Sequence, residues 1–525
     1  MSTADEAPHP HLRANIRALV RSHAPPPPNL SSTRTILSEE LEQCNAEITR
    51  LQAEIARLSS HRVALESCQA DCYSLPAPIR RLPSELLAAI FALCRPRTLD
   101  FTRASQADAG MALLAQEPLL WLAQVCVRWH GVVFGTPTLW DTVALHASAL
   151  WGTPAQTATA MRLLRRAFAR SEGMPLDVRM EGYVMHPAAL ELIASHSERW
   201  RTAKIQCRPG DLRFLANAKG RLPLLKTLEL DTRGVQAEEV DFLEVVPSLR
   251  DLIVYGSMEF CAAKLPLEGL VTFECVDLKP AAVAWAVFSL SRLSPACSVR
   301  LEVFLDDAKQ SLQVPATSSD ISSLVLDTKF LVGTEDCSPR FGEIFAALTL
   351  PSLRDLSFTS SNSNLILPWP HLQFLALSMR SSFSANLQSL QLSRVCITEP
   401  ELLECLAGLP LLQRLAMWDR FTDPLLTDVV LAALTRTPTN TLCLVPDLRV
   451  LECSSFLKFD DEVLLAFLAS RCDESANELP FVARVRALAD RRLAVGVAER
   501  IEEMRARGVL EFELTHHVIK FELVF

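Results

Sequence analysis

Fifteen cysteines are the residues best able to do covalent chemistry in this 525-residue chain, because a thiolate is both a nucleophile and a metal ligand. None stands in a C-x-x-C pair, and none joins histidine at metal-ligand spacing. Cys472, in RCDESANELP, is followed by Asp473 and Glu474. One acid-flanked cysteine is expected by chance among so many, and no helical catalytic domain of adequate length follows it. No G-x-x-x-x-G-K phosphate loop and no G-x-S-x-G elbow occurs. The chain therefore reads as non-catalytic, with no metal and no cofactor. Cys44, Cys275, Cys405, Cys443 and Cys453 fall within apolar patterns, where a free thiol packs as a small hydrophobe. Reduced thiols fit an intracellular protein, cytoplasmic or nuclear.

If the residues do not react, they must recognise. The elements that would position them are legible. Hydrophobic residues make up 49% and charged residues 22%, with a formal net charge of −9, so a core-forming protein with no basic nucleic-acid face is expected. The basic run MRLLRRAFAR at 161–170 spaces Leu163, Leu164 and Phe168 as an amphipathic helix with a solvated side. The N-terminus has no apolar h-region, and AAVAWAVFSL at 281–290 is too short to span a bilayer. No membrane segment is expected.

Residues 1–35 read as a disordered arm, because Pro25 to Pro28 favour extended backbone. Residues 36–75 read as a helix with heptads. Leu41, Ile48 and Ile55 take one seam position, and Leu37, Cys44, Leu51, Leu58 and Leu65 the other; Arg62 interrupts the seam. Ile at the first and Leu at the second suit a parallel two-stranded coil. Either a homodimer or a single helix folded onto its own chain satisfies the pattern. Pro76, Pro78 and Pro83 end it.

From about residue 150 to 480 the form P-x-L-x-x-L-x-φ, with φ apolar, recurs. It begins PLLKTLEL at 223, PSLRDLIV at 247, PSLRDLSF at 351, PHLQFLAL at 370, PLLQRLAM at 410 and PDLRVLEC at 446, with NLQSLQL at 386. GLVTFEC at 269 and SSLVLDT at 322 are degenerate copies in the long gap. This predicts an irregular leucine-rich-repeat solenoid of strands and helices, an α/β architecture. Residues 481–525 read as the last repeat or a cap. There VARVRALADRRLAVGVAERIEEMRARG is expected to be helix closed by Gly508, and VLEFEL and HVIKFELVF edge strands. Leucines of each strand should point inward and alternate residues outward. The outward residues Ile253, Tyr255, Phe374 and Trp418 are apolar or aromatic, and so are candidate substrate contacts; cover by inter-repeat loops or the C-terminal cap is the favoured alternative.

One segment asks for a partner. RRLPSELLAAIFALC, from position 80, is apolar nearly all round. Leu86, Ile90 and Leu93 line one side of its helix, and Leu87, Phe91 and Cys94 another. A stripe that wide needs cover on two sides. A second helix can supply one through Leu122, Val125, Cys126 and Trp129; the rest marks a protein surface.

The three elements L-P-x-E-L-L-x-x-I-F, V-C-x-x-W and T-P-x-L-W, in that order over residues 79–144, resemble the F-box motif, a small all-α domain. With the leucine-rich copies, the whole chain is similar to F-box/leucine-rich-repeat proteins, a large class in mushroom-forming fungi. The segment between the first two elements is longer than that motif usually has. The resemblance implies a substrate-recognition subunit of a Skp–cullin–F-box ubiquitin ligase, partnered by a Skp-family adaptor, through it a cullin, and a substrate protein that the sequence does not name. The adaptor contacts it implies are Leu82, Pro83, Leu86, Ile90, Val125, Trp129, Leu139 and Trp140. The alternative is a coiled-coil/leucine-rich-repeat scaffold outside any ligase.

Overall fold

A computed structural model describes residues 10–22, 25–26, 28–94, 118–146, 154–181, 186–206, 210–231, 242–256, 265–305, 311–330, 338–360, 367–418, 424–436, 443–455, 457–472, 480–487 and 493–516. The chain divides into two compact units, Met1–Leu87 and Ala88–Phe525.

The first unit is helical. Helix α1 (Pro10–Ser22) occupies part of the stretch expected to be a disordered arm. Pro10 suits a first helical position, and Ile16 and Leu19, one turn apart, are half-buried. The four-proline run masked this short pattern in the sequence. Helix α2 (Leu30–Ser74) runs for 45 residues, starting earlier than expected. Its exposed side chains include ion pairs one turn apart, Arg50 with Glu47 at 2.7 Å and Arg57 with Glu54 at 2.8 Å. Beyond it Pro78–Arg81 forms a 3-10 turn. Helix α3 (Ser84–Leu93) then crosses the boundary into the second unit.

The second unit continues with α4 (Pro118–Ala123) and α5 (Val127–Gly135). A single helix was expected here. Cys126 is extended, at φ −164° and ψ 167°, and becomes the N-cap of a new helix, its carbonyl accepting from the His130 N–H at 2.9 Å. A 3-10 turn at Pro137–Trp140 leads into the sheet.

That sheet has fourteen strands, all parallel and side by side in chain order. They are β1 (Thr142–His146), β2 (Leu176–Glu181), β3 (Trp200–Ile205), β4 (Thr227–Asp231), β5 (Asp251–Tyr255), β6 (Thr272–Leu278) and β7 (Ser298–Leu305). They continue with β8 (Ser323–Phe330), β9 (Asp355–Ser360), β10 (Ser389–Ser393), β11 (Arg414–Trp418), β12 (Val450–Ser455), β13 (Phe481–Ala487) and β14 (Leu510–His516). Parallel neighbours need a crossover of a dozen residues or more. Helices supply many of these: α6 (Pro154–Arg170), α7 (Pro187–Ala194), α8 (Pro280–Ser289), α9 (Ser338–Ala347), α10 (His371–Arg380), α11 (Glu399–Ala407), α12 (Asp428–Leu434), α13 (Asp461–Arg471) and α14 (Val495–Ala506). A repeated strand–connection unit stacked in order is a solenoid-like repeat.

The register explains the leucines. Leu228, Leu252, Phe273, Val299, Leu324, Leu356, Leu390, Leu415 and Leu451 form one continuous row, each paired with the next and each buried. A second inner row runs two residues on, from Leu230 through Val254, Cys275 and Leu301 to Leu326. One repeat alone could not bury these side chains; its neighbours cover them. GLVTFEC and SSLVLDT do supply strands, β6 and β8.

Two expectations need correction. PHLQFLAL, expected as a strand, is α10. L-x-x-L spacing fits a helix face as well as a strand, and the residues from His371 to Arg380 include no β-branched side chain. The segment from Val482, expected as helix throughout, begins as β13, with Ala483, Val485 and Ala487 buried in strict alternation. Among its described residues the helix is Val495–Ala506, closed by Gly508 at φ +74°. VLEFEL is β14; HVIKFELVF lies outside the described residues, as does the polar stretch RPRTLDFTRASQADAG at 95–110.

Arginines join successive repeats through helix ends, where last-turn carbonyls lack helical partners. Arg199 donates to Met174 O at 2.9 Å and to the Ser171 hydroxyl just past α6 at 2.5 Å. Arg380 donates to Phe345 O at 2.7 Å, in the last turn of α9, and to Leu348 O at 2.9 Å. Arg471 donates to Leu434 O, the last carbonyl of α12, and to Val445 O and Pro446 O at 3.1 and 3.0 Å.

Candidate functional site

Helix α3 is two-sided. Leu87 and Phe91 are fully buried, while Leu86 is 51% exposed, Ile90 37% and Leu93 78%. The exposed residues recur at helical spacing, so they form an apolar stripe along the helix. Phe91 packs on the ring of Trp129 in α5, with centroids 5.0 Å apart. At the head of the helix Pro83 is exposed and its carbonyl accepts from the Leu87 N–H at 3.1 Å; Leu82 is half-buried.

The α4–α5 turn carries Val125, 60% exposed. Trp129 is half-buried, one face committed to Phe91. Of the remaining expected contacts, Leu139 is buried and Trp140 half-buried. Leu139 is only 3% exposed and belongs to the core. Trp140 donates its indole N–H to Val133 O at 2.8 Å and stacks on Phe134, centroids 5.6 Å apart. The Arg170 guanidinium lies 4.0 Å from the Phe134 ring and 4.7 Å from that of Trp140, a cation–π clasp between α6 and the turn before β1. Leu139 and the half-buried Trp140 thus help hold this end of the unit together. Trp121 and Val127, not among the expected contacts, are also exposed. Their signal was apolar residues on the side of α4 and α5 away from Val132 and Val133.

The open face of the sheet carries the other candidates. Ile253 lies between Glu229 and Glu274 in register, and Tyr255 follows two residues on, beside Asp231 and Val276. Both are half-buried. Burial first, and then Glu229, Glu274 and Glu302 around it, pushes the Tyr255 hydroxyl up to about 12. Lys204 answers Glu229 at 2.9 Å and Arg300 answers Asp327 at 2.5 Å. Trp418 stands on β11, six strands further along, beside Ser393 and Ser454. Phe374 must be removed from this set. It lies on α10, fully buried, 4.8 Å from the Trp369 ring; Leu372, expected to point inward, is exposed.

A row of short polar side chains borders these positions. Asp177, Thr202, Thr227, Asp251, Thr272, Ser298, Ser323, Asp355 and Ser389 occupy one register position across consecutive strands. Short side chains there bond across the ladder: Thr202 Oγ1 donates to Asp177 at 2.9 Å and Thr227 Oγ1 to Asp251 at 3.0 Å. The signal was a Ser, Thr or Asp opening each apolar alternation.

Among the described residues, no group of three or more His, Cys, Asp or Glu side chains is placed to hold a metal ion. Burial pushes the Cys472 thiol up to about 11, with Arg507 pulling the other way, the reverse of what a nucleophile needs. No helix among the described residues is long and apolar enough to cross a membrane.

No protein-family model matches the chain, and no curated protein matches it. Among solved structures, one titled "Crystal structure of Rad7 and Elc1 complex in yeast" aligns with 80% of this chain and 97% of its own, at 11% identity and a TM-score of 0.27. That score is too low to bear on fold or function, which rest on the strands and side chains described above.

Proposed function

We propose that this chain is a substrate-recognition subunit of a Skp–cullin–F-box ubiquitin ligase. Residues 79–144 act as the F-box that docks a Skp-family adaptor, and through it a cullin; the parallel repeat sheet holds a substrate protein. The observation that carries this reading is the two-sided α3 inside L-P-x-E-L-L-x-x-I-F, with Leu87 and Phe91 buried and Leu86, Ile90 and Leu93 left exposed. An exposed apolar stripe on a short helix favours a protein partner. The adaptor contacts are then Leu82, Pro83, Leu86, Ile90, Val125 and the open part of Trp129, while Leu139 and Trp140 act by holding the fold. The chain itself makes and breaks no bond. It raises the effective concentration of substrate lysines near a ubiquitin thioester carried by other subunits.

Co-purification of a Skp-family adaptor with the full-length chain tests this. Wild type should retain the adaptor. Leu82→Ala/Pro83→Ala and Ile90→Asp should each weaken it at least about tenfold, since burying one aliphatic side chain is worth about 1.5–3 kcal/mol. Wild-type protein that binds no Skp-family adaptor sinks the ligase reading and leaves the coiled-coil/leucine-rich-repeat scaffold.

A further inference from the structure

We infer that α2 pairs with α2 of a second copy of this chain as a parallel, in-register two-stranded coiled coil. The inference rests on the helix alone and stands whether or not an adaptor binds α3. Its first support is the seam. Leu41, Ile48, Leu51, Ile55, Leu58 and Leu65 all fall on one seam whose positions alternate steps of three and four, Cys44 and Arg62 filling the slots between, along a 45-residue helix. They are between 46% and 64% exposed. Ile48 and Ile55 at one seam position with Leu51 and Leu58 at the other is the pairing that selects two parallel strands.

The second support is charge. Glu40, Glu47, Glu54 and His61 precede the first seam position, and Asn45, Gln52, Ser59 and Glu66 follow the second. In a parallel coil each residue of the first row lies beside the residue five further on in the other chain. That sets Glu40 beside Asn45, Glu47 beside Gln52, Glu54 beside Ser59 and His61 beside Glu66, with no like-charged pair. In an antiparallel coil the first row faces itself, so acids oppose acids. The helix is thus built against the antiparallel arrangement as well as for the parallel one.

Two cysteines make the register readable. Cys44 occupies the leucine seam position, and Cys72 falls on the same position four heptads later; both are exposed. In register, each meets its own copy. Arg62, whose guanidinium lies 3.6 Å from Glu66 of its own chain, interrupts the seam between them. Coupling at Cys72 should therefore be slower than at Cys44.

The test uses the full-length protein and a short bismaleimide. Sedimentation equilibrium at tens of micromolar should give twice the chain mass. Peptide mapping should find a Cys44 peptide joined to its own copy, a product that only two chains can form, and a slower Cys72–Cys72 product. Ile48→Asp/Ile55→Asp should raise the dimer dissociation constant at least about a hundredfold, because two buried aliphatic pairs are lost. Both positions are exposed in the single chain, so the variant should keep the wild-type circular dichroism. Joined Cys44 and Cys72 peptides would overturn the parallel register, because along one helix these residues are roughly 42 Å apart, beyond the crosslinker's reach, and only antiparallel chains bring them together. A chain that stays monomeric, or whose α2 couples to its own repeats, would overturn the inference outright.

Discussion

Glu452 on β12 receives an arginine from each neighbouring strand, Arg414 from β11 at 2.8 Å and Arg484 from β13 at 2.7 Å. Burial pushes its carboxyl up, but the two guanidinium hydrogen bonds outweigh burial and hold it below its usual value of 4.5. A depressed carboxylate stabilises the fold above its unfolded pKa, and that contribution is lost as pH falls through the folded one. Glu452→Gln should therefore lower the melting temperature at neutral pH, and the gap from wild type should close below about pH 4; thermal melts across pH check it. Arg471 is a different case. It is 6% exposed, and burial pushes it down to about 10, still charged at neutral pH. Carbonyls surround it. Arg471→Met should cost about 3 kcal/mol, as buried carbonyls lose a charged donor; denaturant melts measure this. No motif announced Arg471. Its value comes from Leu434 and Val445, brought to it by stacking, and a linear sequence does not show that proximity. The heptads of α2 and the two sides of α3, by contrast, were legible because each depends only on spacing within one helix.

At the scale of elements, P-x-L-x-x-L-x-φ located β4, β5, β9, β11 and β12 because its proline, turn and alternating apolar residues all favour a strand after a turn. It failed at α10 because PHLQFLAL carries the whole pattern, Pro370 included, and the three-residue leucine spacing within it is shared with helices. The strands β1, β2, β3, β7 and β13 carry no such proline. Their sign was two-residue alternation, as in Val299, Leu301 and Val303, and it was weak in runs of five to eight residues. The end of α14 offers a clean test. Gly508 takes φ +74°, and nothing lies within 4 Å of a Cβ built there. Gly508→Ala should thus cost about 1 kcal/mol through backbone conformation alone, read as a small drop in the denaturation midpoint.

At the scale of the second unit, strand order follows chain order from β1 to β14. Each repeat is stabilised by its neighbours, so stability is a sum of local terms. A chain ended after Ala487 removes α14 and β14 and uncovers a strand with buried Phe481, Ala483 and Val485. β14 presents Glu511 and Glu513 in the rows that continue Val482 and Arg484, and charges of that kind discourage pairing with other chains. The shortened protein should aggregate on expression or sediment as oligomers, while the full-length chain keeps a defined mass. Denaturation followed by separate probes near β2 and β13 should give midpoints that do not coincide, because a long repeat array need not unfold all at once.

That order also decides how the chain yields to force. Drawn from its C-terminal end, the sheet presents one ladder at a time, β14 from β13 and then β13 from β12, each held by a handful of main-chain bonds. The strands peel in sequence instead of shearing together. An unfolding motor that grips that end would meet a series of low steps, each opened before the next is loaded, and the repeats nearest α3 would be the last to come apart.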